Sequence, residues 1–377
     1  MAEDQVIAQH TVDTPPSDNP AIKELKDILQ KAADSIPAEL KDRISKRITS
    51  LERLVGTMRF YEIYDDLYRY LDWVVNLPWY KETEDNLDLQ HTTQILESTH
   101  YGLQSIKDRI LEYVAVLTLQ KQAAQSPERE EVIESLYQRG ASLSPILLFV
   151  GLPGVGKTSI AFSIAKALGR QFIRIPMGGM GSAAHLRGEP RSQPGAEPSL
   201  LIKGMRQAGA RNPVILLDEV DRVAESARAD IMGVLLELLD PQQNRAFVDY
   251  YINYPFDLSR AIFLCSANKT GNIANAVLDR MEVIQMPGYT DEEKIVIARD
   301  YLLPQELQIV GMAKDDVQIE DSIWPLIIRP FGFDAGIRTT HRTIAAIVRK
   351  CARQRVAGVT HKFVINQENY RDYLPEV

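Results

Sequence analysis

The run Gly151-Leu152-Pro153-Gly154-Val155-Gly156-Lys157-Thr158 has the spacing G-x-x-x-x-G-K-[ST]. Glycines at these intervals let backbone N–H groups turn inward around phosphate oxygens. Lys157 is then placed to reach the outer phosphates, and the Thr158 hydroxyl to ligate Mg²⁺. Further along, Val214-Ile215-Leu216-Leu217-Asp218-Glu219 reads as an apolar strand that ends in two adjacent carboxylates. Asp218 can hold Mg²⁺ through water, and Glu219 can polarise an attacking water as a general base. A strand that ends in Asp-Glu is by itself as easily a surface edge. Beside a phosphate loop, it points to binding of a Mg-nucleotide, with hydrolysis as the matching chemistry.

Elements of a defined kind must position these groups. The candidate strands Ile146–Val150, Phe172–Pro176, Val214–Leu217 and Ala261–Ser266 are short and apolar and alternate with helical stretches, as in a parallel α/β sheet. The phosphate run follows the first of them and precedes a helix over Ser159–Leu168, whose N-terminus adds partial positive charge. Upstream, Ile22, Leu25, Ile28 and Leu29, then Leu40, Ile44, Ile48, Leu51 and Val55, recur at helical spacing. Tyr61–Trp79 is dense in aromatics and reads as a helix packing a Tyr/Trp face onto its neighbours. Another helix is expected from Ile106 to about Gln122. Past Pro287 the chain turns helical again, with Ile344, Ile347, Val348 and Cys351 marking a helix that Gly358 ends. The expected organisation is a flexible tail (1–20), an N-terminal helical region (21–92), an α/β nucleotide-binding domain (93–286) with a polar insertion at about 124–142, and a small helical domain (287–377).

Composition narrows the class. The chain has 377 residues, 45% hydrophobic and 25% charged, which excludes a wholly disordered chain or a small disulfide scaffold. Acidic residues outnumber basic ones, 51 to 43, for a net charge of −8, which disfavours a protein that coats nucleic acid. Cys265 and Cys351 sit in apolar or helical surroundings and read as buried free thiols. No apolar run reaches the length of a membrane span, and the N-terminus carries no signal-peptide pattern. The expected location is the cytoplasm.

Several longer strings carry a family resemblance. Pro145–Lys157, Leu216–Asp221, Leu235–Asn244, Val277–Ile284 and Gly288-Tyr289-Thr290 together resemble the AAA+ ATPase module of the Lon proteases. Trp73–Trp79, His100–Leu103 and Lys107–Tyr113 extend the similarity upstream, so it runs from about residue 65 to the end. The resemblance implies a P-loop AAA+ module, with its parallel sheet flanked by helices and a small α-helical domain behind it. It implies ATP and Mg²⁺ as ligands and a ring of identical subunits, six in the family, acting on protein substrates. It also implies residue roles. Gly151 to Thr158 hold the nucleotide, with Thr158 and Asp218 at the metal and Glu219 at the water. Asn268 stands at the first sensor, where an amide can hydrogen-bond the γ-phosphate or the water. Arg280 stands where AAA+ rings supply an arginine finger to the neighbouring subunit, and Arg338 matches the second sensor. His100, Tyr101 and Gly102 match the segment over the adenine.

The sequence also departs from the family. No context for the C-terminal Ser–Lys peptidase dyad occurs, so peptide cleavage is not expected of this chain, and a separate protease or an adaptor is a conceivable partner. Gln193 and Pro194 stand where family members carry an aromatic–aliphatic pair that grips substrate, and Pro190, Pro194 and Pro198 stiffen that loop. Tyr250 or Tyr251 could supply an aromatic instead. A remodelling ATPase in protein quality control is the leading expectation. The alternative is a module in which ATP sets assembly and no substrate is threaded, and a DNA-remodelling ATPase ranks third.

Overall fold

The computed structural model describes residues 19–123, 146–329, 336–359 and 362–375, so the expected insertion at 124–142 lies outside the described residues. At the centre is a five-stranded, all-parallel sheet. Its strands are β1 (Ile146–Val150), β2 (Phe172–Pro176), β3 (Val214–Asp218), β4 (Ile262–Ala267) and β5 (Met281–Gln285), in the order β2-β3-β4-β1-β5. The inner strands are continuously apolar because helices cover both faces. Leu147 and Phe149 of β1 join Leu216, Leu264 and Ile160 on one face, while Leu148 and Val150 join Ile215, Leu217 and Cys265 on the other. That two-residue alternation follows from strand geometry. The fifth strand was not expected. It is an edge strand with Glu282, Val283 and Gln285 not buried, and so lacks the apolar run that marks its partners.

Helices α1 (Pro20–Lys31), α2 (Ala38–Glu52) and α3 (Arg59–Val75) form the N-terminal layer. Asn19 caps α1 by accepting a hydrogen bond from the Ala21 N–H, so the helix starts inside the stretch expected to be tail. Ile22, Leu25, Leu40, Ile44, Ile48 and Leu71 are almost wholly buried and share one core with the sheet face that carries Ile215 and Leu217. Val55 falls beyond α2 in a turn. The aromatic face of α3 divides: Tyr70 is buried, whereas Tyr61 is 72% exposed and Tyr68 is 38% exposed. Trp79, past the helix end, is buried against Phe256 and donates its indole N–H to the Val74 carbonyl.

Two helices that sequence periodicity only half reveals, α4 (Leu89–Thr99) and α5 (Gln104–Ala123), cover the opposite face together with α6 (Lys157–Ala167). The last segment has its own core, built around Trp324, Leu307, Ile344, Ile347, Val348 and Cys351. Its long helix runs Arg338–Val356, with Gly358 at φ +72° just beyond, as expected. A parallel pair of three-residue strands, Val317–Ile319 with Phe363–Ile365, was not anticipated. Both cysteines are free and buried, and burial pushes each thiol up to about 12, which keeps them protonated. Among the described residues no helix is long and apolar enough to cross a membrane.

Candidate functional site

Parallel strands bring their C-terminal ends to one edge, and four elements meet there. Val150 lies level with Ala267, and Leu217 with Cys265, so the loops after β1, β3 and β4 are neighbours. The Gly151 N–H donates to Ala267 O, and the Met286 N–H to Val150 O, fixing the root of the phosphate loop between two strands. Gly154 at φ +86° and Gly156 at φ +99° supply the left-handed turns that bring the chain into α6. Gly156 is the N-cap of α6 and no side chain caps that end, which leaves its first-turn N–H groups to the loop.

Lys157 is buried, with its ammonium donating to Gly151 O at 2.7 Å, Leu152 O at 3.1 Å and Asn268 Oδ1 at 3.0 Å. Burial pushes its pKa below the usual lysine value, against the pull of Asp218, Asp221 and Glu219, with Arg338 adding to the depression. The hydrogen bond places the Asn268 amide, expected at the first sensor, next to the lysine. The backbone N–H groups of Asn268 and Lys269 both donate to Asp221, which holds that loop in place.

Asp218 is 3% exposed. Ser266 donates its hydroxyl to Oδ1, and Thr158 Oγ1 lies 3.4 Å from Oδ2. Glu219 follows in the left-handed region at φ +60°, a conformation that costs a non-glycine residue about 1–2 kcal/mol. Its N–H donates to Ser266 Oγ at 2.9 Å, and its carboxylate lies 3.1 Å from Arg222 Nη1. A Cβ on Gly178 would lie 2.6 Å from Glu219 Oε2, so a larger residue there would displace the carboxylate from this position.

The small helical segment closes directly on the loop. The Ile337 N–H donates to Gly154 O at 3.0 Å, and the buried Tyr289 hydroxyl donates to Val155 O at 3.2 Å. Arg338, the first residue of its helix, stands over Gly154, where a Cβ would come within 3.2 Å of the arginine Cβ. His100 bonds Ser159 Oγ through Nε2 at 3.0 Å and Thr99 Oγ1 through Nδ1 at 2.9 Å, tying the end of α4 to α6. Gly102 and Leu103 take left-handed conformations, at φ +62° and +55°. Tyr101 stands edge-on to Tyr301, 6.4 Å between ring centres.

One expected residue is not brought to this site. Arg280 immediately precedes Met281, which lies level with Ile146, whereas the phosphate loop follows Val150. About 13 Å of strand separates the two ends. Arg280 instead pairs with Asp240 at 3.1 Å and donates to Ala276 O at 3.3 Å. The substrate-loop candidates also divide. Gln193 and Pro194 are exposed at the tip of their loop, and Arg191 lies over the Tyr70 ring at 3.8 Å. Tyr251 is buried and cannot present its ring, while Tyr250 is 48% exposed. Sequence reasoning missed Arg174, Ser266, Arg222 and the individual roles of Asp221 and Tyr289. Arg174 is the lone charge in the β2 run, the one signal that could have drawn notice.

The residues present fit a Mg-nucleotide. A hydroxyl and one buried carboxylate suit a cation that keeps waters and phosphates as its other ligands, and the left-handed glycines form a cradle. The sheet order, the loop on β1 and the helical lid over it define a P-loop ATPase of the AAA class. Residues 147–289 match the ATPase family associated with various cellular activities (AAA). Residues 308–364 match the Lon protease AAA+ ATPase lid domain, and the two matches together mark a Lon-like AAA+ ATPase module. It is 46% identical over 305 residues to Lon protease 2 of Thermus thermophilus, covering 81% of this chain and 37% of that protein. It is 43% identical over 354 residues to the Lon protease of Lawsonia intracellularis, covering 94% of this chain and 40% of that protein. The Aquifex aeolicus Lon protease is 40% identical over 359 residues, 94% of this chain and 42% of the relative. The chain thus spans well under half the length of the curated relatives it matches.

Proposed function

We propose that this chain hydrolyses ATP and uses the cycle to remodel protein substrates, working as a ring of identical subunits in cytoplasmic protein quality control. The observation that carries the proposal is the convergence of Lys157, Thr158, Asp218, Glu219 and Asn268 on one sheet edge, with Arg338 of the lid above. Bound Mg²⁺ would supply charge neutralisation at the phosphates. Lys157 would exchange its carbonyl acceptors for phosphate oxygens, while Thr158 and Asp218 would hold the ion. Glu219 would take the proton of the attacking water, and Asn268 would orient that water or the γ-phosphate. His100, Tyr101 and Gly102 would flank the base. Arg280, which lies at the far end of the strands, would serve the neighbouring subunit's nucleotide. Peptide cleavage is no part of the role proposed for these residues; a protease partner would supply that step, and an adaptor would deliver substrate.

The test is turnover. Wild-type protein should release phosphate from Mg·ATP, and unfolded casein should raise the rate. Glu219→Gln should keep nucleotide binding and lose at least about 100-fold in turnover. Lys157→Ala should abolish binding. Unchanged turnover in Glu219→Gln would mean that the water is activated elsewhere. A second reading, ATP-regulated assembly without threading, is favoured by the exposed Gln193-Pro194 tip, which offers little apolar grip. Turnover that casein leaves flat would select it.

A further inference from the structure

Asp218 has a partner that the motif does not provide. Arg174 of β2 donates to Asp218 Oδ2 through both Nε, at 2.7 Å, and Nη2, at 2.6 Å. This is the same oxygen that Thr158 Oγ1 faces at 3.4 Å, while Oδ1 is taken by Ser266. Every described contact of this carboxylate is thereby on the page: a hydroxyl on one oxygen, and a guanidinium and a second hydroxyl on the other. The Asp218 side chain is 4% exposed and the Arg174 side chain 54%. A buried carboxylate needs a counter-charge, and here it comes from an edge strand that opens to solvent. A guanidinium so exposed has solvent to swing into, whereas the buried aspartate does not.

We propose that Arg174 is an internal counter-cation that holds the metal-facing oxygen of Asp218 in the nucleotide-free state and is displaced when Mg²⁺ arrives. The inference rests on the Mg-nucleotide assignment of the site and deepens it. Arg174 is a positioning residue: it keeps Asp218 aimed at Thr158 while no ion is present. It also sets a threshold, because an ion must compete with a two-donor, charge-assisted contact for one oxygen. Loss of the arginine therefore leaves the carboxylate more open to a divalent ion. Lysine would keep the charge but not the paired geometry.

The experiment measures ADP binding to the full chain as Mg²⁺ is titrated, in wild type, Arg174→Met and Arg174→Lys, with melting temperatures taken with and without saturating Mg·ADP. The half-saturating Mg²⁺ concentration should fall at least fivefold in Arg174→Met, with Arg174→Lys between the two. The methionine variant should melt lower than wild type when free, and the gap should close when Mg·ADP saturates. A half-saturation point unmoved or raised in both variants would overturn the role of Arg174, since a merely structural ion pair shifts melting but not the Mg²⁺ midpoint. Wild-type protein that binds ADP with no dependence on Mg²⁺ would instead overturn the assignment of the site, and is seen before any variant is compared.

Discussion

At the residue scale, His100 has its chemistry altered most plainly by its surroundings. Burial, with Lys107 nearby, pushes its imidazole down to about 4. It is therefore neutral at pH 7, so one ring nitrogen can accept while the other donates between Ser159 and Thr99. The folded value lies below the unfolded one near 6.5, so the contribution to stability is complete above that pH and is lost as pH falls toward 4. The separation corresponds to about 3 kcal/mol. His100→Gln removes this one titration. The melting-temperature gap between wild type and variant should shrink by several degrees between pH 7 and 4.5. Parallel decline of both proteins would show that His100 titrates normally. At this scale the sequence disclosed what lies in consecutive positions: the phosphate loop and the Asp218-Glu219 pair. Arg174, Ser266 and Tyr289 reach the site from three separate segments, and only pairing of β2 with β3 and β3 with β4, or closure of the lid, makes them neighbours.

At the element scale, the contact between lid and phosphate loop is backbone against backbone. A Cβ on Gly336 would lie 2.6 Å from Pro153 O and 2.7 Å from Gly154 C, and neither atom can swing aside. Gly336→Ala should push the lid off the loop and break the Ile337–Gly154 hydrogen bond. Nucleotide affinity should fall about tenfold, alongside a stability loss of roughly 1–3 kcal/mol. Gly358→Ala is the control: it strains a left-handed residue in open space, so it should lower stability by ~1 kcal/mol and leave affinity unchanged. Equal affinity losses in both would remove the lid contact as the cause. The same scale explains which elements were legible. β1 and β2 begin and end where expected, β3 ends one residue beyond its run, and β4 begins and ends one residue later than its run, because helices cover the sheet on both faces. β5 mixes polar with apolar residues because it is an edge, and Arg109 of α5 reaches its Glu282 at 2.7 Å. The three-residue strands of the lid are too short to show any period.

At the scale of the whole molecule, Arg280 points to shared sites. Its pairing with Asp240 and its place at the strand-start end leave one chain's nucleotide out of its reach. In the ring proposed above, each site would take Glu219 from one subunit and Arg280 from the next. Arg280→Ala and Glu219→Gln should each be nearly inactive alone. Mixed in equal amounts they should regain activity, since roughly a quarter of random interfaces then pair intact copies of both residues. Turnover per subunit should also rise with concentration. No rescue on mixing, with strictly linear activity, would exclude a shared site. The sheet order carries a further consequence, for synthesis. β1 sits between two strands, yet Leu147 pairs with Leu264 and Ile146 with Met281. At about 5–20 residues per second, its second neighbour leaves the ribosome on the order of ten seconds after β1 does. Until Ala267 emerges Ile146–Val150 is an apolar strand with both edges open, and one edge stays open until Gln285, so nascent chains that stall before these points should be the forms of this protein that most need a chaperone.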